Sequence, residues 1–244
     1  MSDIISVKNF QMKFGKTEVI KDLSFTVKKG ETFGLLGSNG SGKTTTIRAL
    51  LGIYIPTGGD LLVDGKPYSV SGGTRLGYLP EERGLYKKES VIDIMSYFGQ
   101  LKGMSRENAR NTSIEYLRRV KLEDKINTRL DKLSGGQQQK IQLGITVMDN
   151  PDLLILEEPT KGFDPVNRRL LMDIIEEHQA KGATVIMVTH QMEEVERLCD
   201  RIILLKDGKS HAYGTIESVK AKFKKKTLED VFLSVYGDEN RGEY

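Results

Sequence analysis

Hydrophobic and polar residues alternate along the first part of the chain. Between residues 4 and 36 apolar side chains recur at every second position, as at Ile5 and Val7, which is typical of antiparallel strands with one buried face. Residues 90–150 follow mainly a helical period, and residues 152–213 alternate strand, helix, strand, helix and strand. The pattern predicts an α/β protein with a helical segment inserted into its core.

Two apolar runs in the second half of the chain lack this alternation. Leu153–Leu156 and Thr184–Thr189 have the length and composition of parallel strands that are covered on both faces. Between them, Pro165 can begin a helix that runs to about Lys181, where Gly182 supplies the stop. The order strand, helix, strand predicts a βαβ unit.

A glycine-rich segment, Gly37-Ser-Asn-Gly-Ser-Gly-Lys43-Thr44, lies between the apolar run Thr32–Leu36 and a helix-forming segment. Its glycines allow the backbone to wrap around an anion with successive N–H groups pointing inward. Lys43 is placed to reach the β- and γ-phosphates, the Thr44 hydroxyl can bind Mg²⁺, and the helix start adds its dipole. We therefore expect a P-loop NTPase core with a parallel sheet, although kinases, GTPases, helicases and transport ATPases share this loop. The expected nucleotide contacts are Gly37, Ser38, Asn39, Gly40, Ser41, Gly42, Lys43, Thr44 and Thr45.

Composition narrows the class of protein. The chain has 244 residues, 38% of them hydrophobic and 29% charged, which suits one nucleotide-binding unit with a sizeable core. No run approaches the roughly 18–20 apolar residues of a membrane span, and the first residues lack a signal region, so we expect a cytosolic protein. The net charge of +3 is too small to indicate nucleic-acid binding.

Two smaller features have ordinary explanations. The single cysteine, Cys199, cannot form an internal disulfide and follows a helical pattern, so we expect a buried apolar side chain. The basic run at residues 220–226 predicts a solvated helix face near the C-terminus, with attraction to anionic lipid head groups as the alternative.

A second anion-binding pattern occurs at Leu133-Ser-Gly-Gly-Gln137, where Ser134 can cap a helix and several N–H groups are available at its start. With this segment downstream of the phosphate loop and upstream of an acidic strand end, the chain resembles the ATP-binding cassette family of ATPases over essentially its whole length. The resemblance implies ATP and Mg²⁺ as ligands. It also implies one cassette over residues 1–244, with an N-terminal antiparallel β subdomain, a helical subdomain at about 83–133 and a C-terminal helical tail at about 214–244.

The acidic strand end carries the catalysis that this resemblance implies. Glu157 would orient water around Mg²⁺, and Glu158 would polarise the attacking water. The family nearly always carries Asp at the first position, so the extra methylene of Glu157 displaces its carboxylate or makes it fold back, and we expect slower hydrolysis. Lys43 would stabilise the charge of the γ-phosphate in the transition state.

The resemblance gives roles to an aromatic and a histidine residue. His190, after the strand Thr184–Thr189, would contact the γ-phosphate, whereas His178 and His211 are expected to be structural. Phe14 would stack on adenine. The alternatives for this position are a strand residue that faces the core, and Phe10 as the stacking ring.

Two further segments differ from the family pattern in detail. Tyr78-Leu-Pro-Glu81 stands at the loop that joins the core to the helical subdomain, with Glu81 at the position where the family usually carries Gln. Glu81 would offer Mg²⁺ a charged carboxylate oxygen in place of a neutral amide oxygen. The substitution at Glu81, together with the following Glu82-Arg-Gly-Leu-Tyr86, resembles a branch of prokaryotic exporter-type cassettes whose membrane subunit is a separate chain. Asp164 would lie in the loop that crosses between two cassettes, where Lys161 and Phe163 replace the commoner Ser and Leu.

A single copy of each motif implies a site completed by a second cassette, either an identical chain or a close paralogue. The contacts made in trans would come from Ser134, Gly135, Gly136, Gln137 and Asp164. We therefore expect a head-to-tail pair with a two-fold axis that forms with ATP. The first function hypothesis is the cytoplasmic motor of an exporter, peripheral on the inner face of the cell membrane through a separate transmembrane permease, with no nucleic-acid partner. The alternatives are a soluble cassette ATPase that acts on ribosomes, chromosomes or DNA, and a metabolic kinase or non-hydrolysing regulator.

Overall fold

The computed structural model describes residues 2–69, 73–82 and 84–237 of the chain. These residues form two compact units, one made of residues up to Thr74 and from Thr184 onward, the other of Arg75–Ala183. The strands are β1 (Asp3–Phe14), β2 (Thr17–Lys28), β3 (Thr32–Gly37), β4 (Gly58–Val63), β5 (Leu76–Leu79), β6 (Leu153–Glu157), β7 (Thr184–Val188), β8 (Arg201–Lys206) and β9 (Lys209–Thr215). The helices are α1 (Lys43–Leu50), α2 (Val91–Leu101), α3 (Arg106–Arg119), α4 (Gly135–Val147), α5 (Pro165–Ala180), α6 (Met192–Leu198), α7 (Ile216–Phe223) and α8 (Leu228–Tyr236).

The antiparallel strands predicted near the start of the chain are present in the first unit. β1 pairs with both β2 and β4, and Val7 stands opposite Phe25 in the first of these pairs. Ile5 and Val7 are at most 1% exposed, whereas Lys8 is exposed. One face of this sheet is therefore buried, as the alternation of apolar residues predicts.

The third strand corrects the sequence prediction, which grouped residues 4–36 with antiparallel strands. β3 runs parallel to both β7 and β8, with Gly34 opposite Met187 and Ile202. All six residues of β3 are buried, so it belongs to the core and not to the half-exposed sheet. The strand order within this unit is β4-β1-β2-β9-β8-β3-β7. The phosphate loop thus follows a strand of the parallel core.

The C-terminal part of the first unit contains α7 and α8. The basic run predicted as one helix face is only partly helical, because α7 ends at Phe223 and Lys224 takes a left-handed conformation with φ 54°. The lysines of α7 and those after it are half-buried or exposed. Residues 238–244 of the predicted helical tail lie outside the described residues.

The second unit contains the predicted helical segment. β5 pairs in parallel with β6, α2 packs against α3, and both helices contact α4. α2 and α3 each begin at a serine cap, Ser90 and Ser105. Arg83, the first residue of the predicted helical subdomain, lies outside the described residues. Together with the first unit, this arrangement confirms the predicted α/β class with a parallel core, an antiparallel start and inserted helices.

Candidate nucleotide-binding site

The phosphate loop connects β3 to α1 in the first unit, and its backbone requires glycine. Gly42 has φ 104°, and a Cβ atom there would lie 2.3 Å from Cδ1 of Ile20. A Cβ on Gly37 would lie 2.4 Å from the Ser41 hydroxyl and 2.6 Å from the carbonyl oxygen of Leu205. Side chains are therefore excluded at both ends of the loop, because its backbone packs closely against residues of β2 and β8 and against Ser41 of the loop itself.

The start of α1 has the features of an anion site. Gly42 is its N-cap and provides no side-chain hydrogen bond, and no acidic residue lies in the first turn. The Lys43 ammonium donates to the carbonyl oxygens of Gly37 and Ser38, both at 2.8 Å, and so lies against the loop. The Ser41 hydroxyl is buried without a hydrogen-bond partner among the described residues. A positive helix end, an ammonium group and an unsatisfied buried hydroxyl fit a polyphosphate ligand.

The remaining loop residues are accessible. Asn39 and Gly40 are exposed, and Ser38, Thr44 and Thr45 are half-buried. Thr44 lies in the first turn of α1, where its hydroxyl can serve as an oxygen ligand for Mg²⁺ beside bound phosphates. No cluster of three or more His, Cys, Asp or Glu side chains suited to a metal occurs in residues 2–69, 73–82 and 84–237. The Thr44 hydroxyl beside bound phosphates fits Mg²⁺, which is commonly held by one or two protein oxygens together with substrate phosphates.

His190 belongs to the same unit as the phosphate loop. It is exposed and follows β7 by two residues. Since β3 and β7 are parallel and paired, the loop after β3 and the segment with His190 leave the sheet at the same edge, where α/β proteins bind their ligands.

Phe14 ends β1 and is 44% exposed, with its ring edge-on to Tyr54 at a centroid distance of 5.2 Å. Phe10 is 0% exposed, so its ring is enclosed in the core and has no face open to a base. The structure therefore excludes two alternatives, a core-facing Phe14 and a stacking Phe10. Phe14 stays the candidate for adenine stacking.

The other two histidines and the cysteine have surroundings that suit structural roles. Burial lowers the pKa of His178 on α5, and His211 packs its ring against Phe223. Cys199 is buried as predicted, one residue beyond α6, and burial raises the pKa of its thiol. A buried thiol in apolar surroundings is unreactive.

The acidic residues at the end of β6 belong to the second unit and are both buried. Glu157 is 3% exposed and accepts a hydrogen bond of 2.5 Å from the Tyr78 hydroxyl on the neighbouring strand β5. Glu158 is 8% exposed and has φ 46°, a left-handed conformation that is uncommon outside glycine. A buried carboxylate on such a backbone is a feature that proteins concentrate at functional sites.

The contact between Tyr78 and Glu157 leads to a prediction. If this hydroxyl positions the longer acid, Tyr78→Phe should lower the rate of ATP hydrolysis about two- to tenfold, the usual effect of one lost hydrogen bond. Glu157→Asp alone should raise the rate, and in that background Tyr78→Phe should have a smaller effect, because the shorter acid withdraws from the hydroxyl. Steady-state ATPase assays on the unchanged protein, the two single variants and the double variant measure the coupling between Tyr78 and Glu157. Equal effects of Tyr78→Phe in both backgrounds would contradict it.

The segment Ser134–Gln137 begins α4 with a capping box. The Ser134 hydroxyl accepts from the Gln137 N–H at 3.3 Å, and Oε1 of Gln137 accepts from the Ser134 N–H at 2.9 Å. Ser134 is exposed, and its hydroxyl proton can still be donated. A Cβ on Gly136 would lie 3.2 Å from Cε1 of Phe163, so this glycine lets the start of α4 pack on the aromatic ring. Sequence reasoning missed this contact, because nothing in the spacing of the two residues indicates it.

Asp164 caps α5, a role that sequence reasoning did not assign to it. Its carboxylate accepts from the N–H groups of Val166 and Asn167, both at 3.0 Å, and from the Asn167 side chain. These hydrogen bonds, with those from Asn167 first, lower the pKa of the Asp164 carboxyl. The signal for this role was present in the sequence, since Asp before Pro is a common helix start.

The structure thus places the predicted residues in two groups. Phe14, residues 37–45 and His190 belong to the first unit. Glu81, Ser134–Gln137, Glu157, Glu158 and Asp164 belong to the second.

Comparison with known proteins identifies the family. The family model described as "ABC transporter" matches residues 20–161, more than half of the chain. An uncharacterized ABC transporter ATP-binding protein of Methanocaldococcus jannaschii is 46% identical over 91% of this chain and 81% of its own length. The linearmycin resistance ATP-binding protein LnrL of Bacillus subtilis is 35% identical over 87% of this chain and 69% of its own length. The Nod factor export ATP-binding protein I of Burkholderia lata is 38% identical over 86% of this chain and 70% of its own length.

Comparison with solved structures leads to the same family. The ATP-binding subunit of an ABC transporter superposes with a TM-score of 0.87 at 27% identity, covering 95% of this chain and 98% of that subunit. A dimeric ATP-binding cassette in a post-hydrolysis state, bound to ADP and Pi, superposes with a TM-score of 0.77 at 25% identity, covering 86% of this chain and 98% of the cassette. The chain therefore belongs to the ABC transporter family. Within that family it is an ATP-binding subunit.

Proposed function

We propose that this subunit hydrolyses ATP to drive export through a separate membrane protein. The observation that carries the catalytic part is Glu158, a buried carboxylate at the end of β6 with a left-handed backbone. The direction rests on two relatives whose names state Nod factor export and linearmycin resistance, and on the resemblance of the sequence Glu81–Tyr86 to exporter-type cassettes. Transport into or out of vesicles that contain this subunit and its membrane partner tests the function. ATP-dependent movement of substrate away from the membrane side that carries the ATP-binding subunit supports export, and movement toward that side would contradict the direction.

The residue roles follow from the chemistry of the two groups. The loop N–H groups and Lys43 bind the phosphates, Glu158 accepts a proton from the attacking water, and His190 donates a hydrogen bond to the γ-phosphate. Thr44 and Glu81 would hold Mg²⁺ directly, and Glu157 would hold it through water. When bound, the ion neutralises charge on the phosphate oxygens.

A second cassette completes the site in this proposal. The Ser134 hydroxyl accepts its capping hydrogen bond from within the chain and keeps its proton for a partner's γ-phosphate. The N–H groups at the start of α4 would bind the same phosphate. Asp164 would meet the second chain through acceptor positions that its helix cap leaves unused. A two-fold pair formed with ATP satisfies all these contacts at once.

A groove in the second unit supports docking to the membrane subunit. It has a volume of about 330 Å³ and is lined by Tyr86, Glu89, Asp93, Ile94 and Tyr97. The two tyrosines are 61% and 47% exposed, and their rings lie 6.4 Å apart. Exposed aromatic rings beside two carboxylates suit a short helix with basic residues from the membrane subunit. The protein would then lie in the cytoplasm, attached to the inner face of the cell membrane through that subunit.

Tyr97→Ala should weaken binding to the membrane subunit at least about tenfold, a typical loss for an aromatic anchor, while ATP binding stays unchanged. Leu101→Ala is the matched control, because Leu101 is 63% exposed on the same helix but does not line the groove. Affinity can be measured in detergent or nanodiscs. Equal binding by the two variants would show that the membrane subunit docks elsewhere.

A further inference from the structure

Two residues at which this chain departs from the family pattern form an ion pair in the second unit. Glu81 stands where glutamine is usual, and Lys161 stands where serine is usual. The Lys161 ammonium lies 2.7 Å from Oε1 of Glu81. Glu81 adds a negative charge and Lys161 adds a positive charge, and the two charged groups are in contact.

The sheet explains why these residues are neighbours. β5 and β6 are parallel, with Leu79 opposite Leu156, so the segments that follow them leave the sheet at one edge. Glu81 follows β5 by two residues and Lys161 follows β6 by four. The Lys161 N–H also donates to the carbonyl oxygen of Glu158 at 3.1 Å, which ties this lysine to the catalytic candidate.

The pair is exposed, and this determines how strong it can be. The side chains of Lys161 and Glu81 are 58% and 48% exposed. Exposed pairs contribute little and are screened by salt. A divalent cation, with twice the charge of the ammonium, can therefore displace it from the carboxylate.

We propose that Lys161 competes with Mg²⁺ for the Glu81 carboxylate and so sets the magnesium concentration at which nucleotide binds. The inference rests on the proposed metal role of Glu81. Lys161 is a positioning residue in this account, since it acts through Glu81 and not on the nucleotide. Release of Lys161 on metal binding would leave its ammonium beside the turn that begins at Glu158.

The test measures the free Mg²⁺ concentration that gives half-maximal binding of a fluorescent, non-hydrolysable ATP analogue to the full chain. Lys161→Ala should lower this midpoint about two- to fivefold, the range expected when one exposed ion pair no longer competes. Glu81→Gln should raise the midpoint, and adding Lys161→Ala to Glu81→Gln should change nothing further. Lys125→Ala is the matched control, because Lys125 forms another exposed pair, with Asp124, in the same unit.

The outcomes distinguish the competition by Lys161 from the metal role of Glu81 on which it rests. An unchanged or raised midpoint in Lys161→Ala, with a raised midpoint in Glu81→Gln, would overturn the competition and leave the metal role of Glu81 standing. No shift in Glu81→Gln would overturn both. The exchanged pair, Glu81→Lys with Lys161→Glu, restores the attraction without restoring the carboxylate at position 81. Its midpoint should stay high, and a return to the original value would show that the pair is only structural.

Discussion

Glu158→Gln is expected to reduce ATP hydrolysis at least about 100-fold, the lower end of what a general base contributes, while nucleotide binding is retained. The amide has nearly the shape of the carboxylate but cannot accept a proton from water at neutral pH. Because ATP then persists in the site, the two-chain form should accumulate. Phosphate release measures the first effect, and size-exclusion chromatography with ATP and Mg²⁺ measures the second.

Glu115→Gln is a suitable control for this experiment, because Glu115 is an exposed residue of α3 in the same unit. It should behave like the unchanged chain in both assays. Undiminished hydrolysis by Glu158→Gln would remove Glu158 as the general base. Lost hydrolysis together with lost nucleotide binding would instead indicate that the left-handed backbone at this residue fails to form.

Lys43→Ala is expected to weaken ATP binding about 10- to 100-fold, which corresponds to the loss of one or two charge-assisted hydrogen bonds to phosphate. The Lys43 ammonium already lies against the loop through the carbonyl oxygens of Gly37 and Ser38, so little reorganisation is needed before it meets an anion. Calorimetric titration with ATP and with AMP distinguishes the contributions. The loss should be large for ATP and small for AMP, which has no β- or γ-phosphate.

The matched control for this second experiment is Lys66→Ala. Lys66 is an exposed lysine after β4 in the same unit, so its removal changes the net charge equally. The ATP affinity of the Lys66→Ala variant should equal that of the unchanged protein. An equal loss of affinity in the two variants would show that long-range charge, and not contact with the phosphates, determines binding.

Local patterns predicted much of this structure because the relevant interactions are local. The spacing Gly37–Thr44 specifies a loop and a helix start within eight residues, and Ser134 specifies the cap of the helix that begins at the next residue. β3 was grouped wrongly because a short, fully buried strand carries no alternation. Its neighbours β7 and β8 lie about 150 and about 170 residues away in sequence, and periodicity cannot report such a pairing.

The contacts that modify the candidate site were beyond the sequence for the same reason. Glu81 and Lys161, like Tyr78 and Glu157, are about 80 residues apart and meet through the pairing of β5 with β6. Sequence reasoning could single out each of these residues as part of a motif or as a departure from the family pattern. Their partnership depends on strand register, which the sequence does not display.

The packing of Gly136 on Phe163 has a consequence for how two chains would recognise each other. Phe163 is 8% exposed and precedes Asp164 directly, so the start of α4 and the start of α5 share one buried ring. Ser134 and Asp164 therefore lie at the starts of two helices that pack on the same aromatic ring. In the proposed pair, a second chain that contacts one of these residues would contact the other in the same step, so we expect closure to be cooperative.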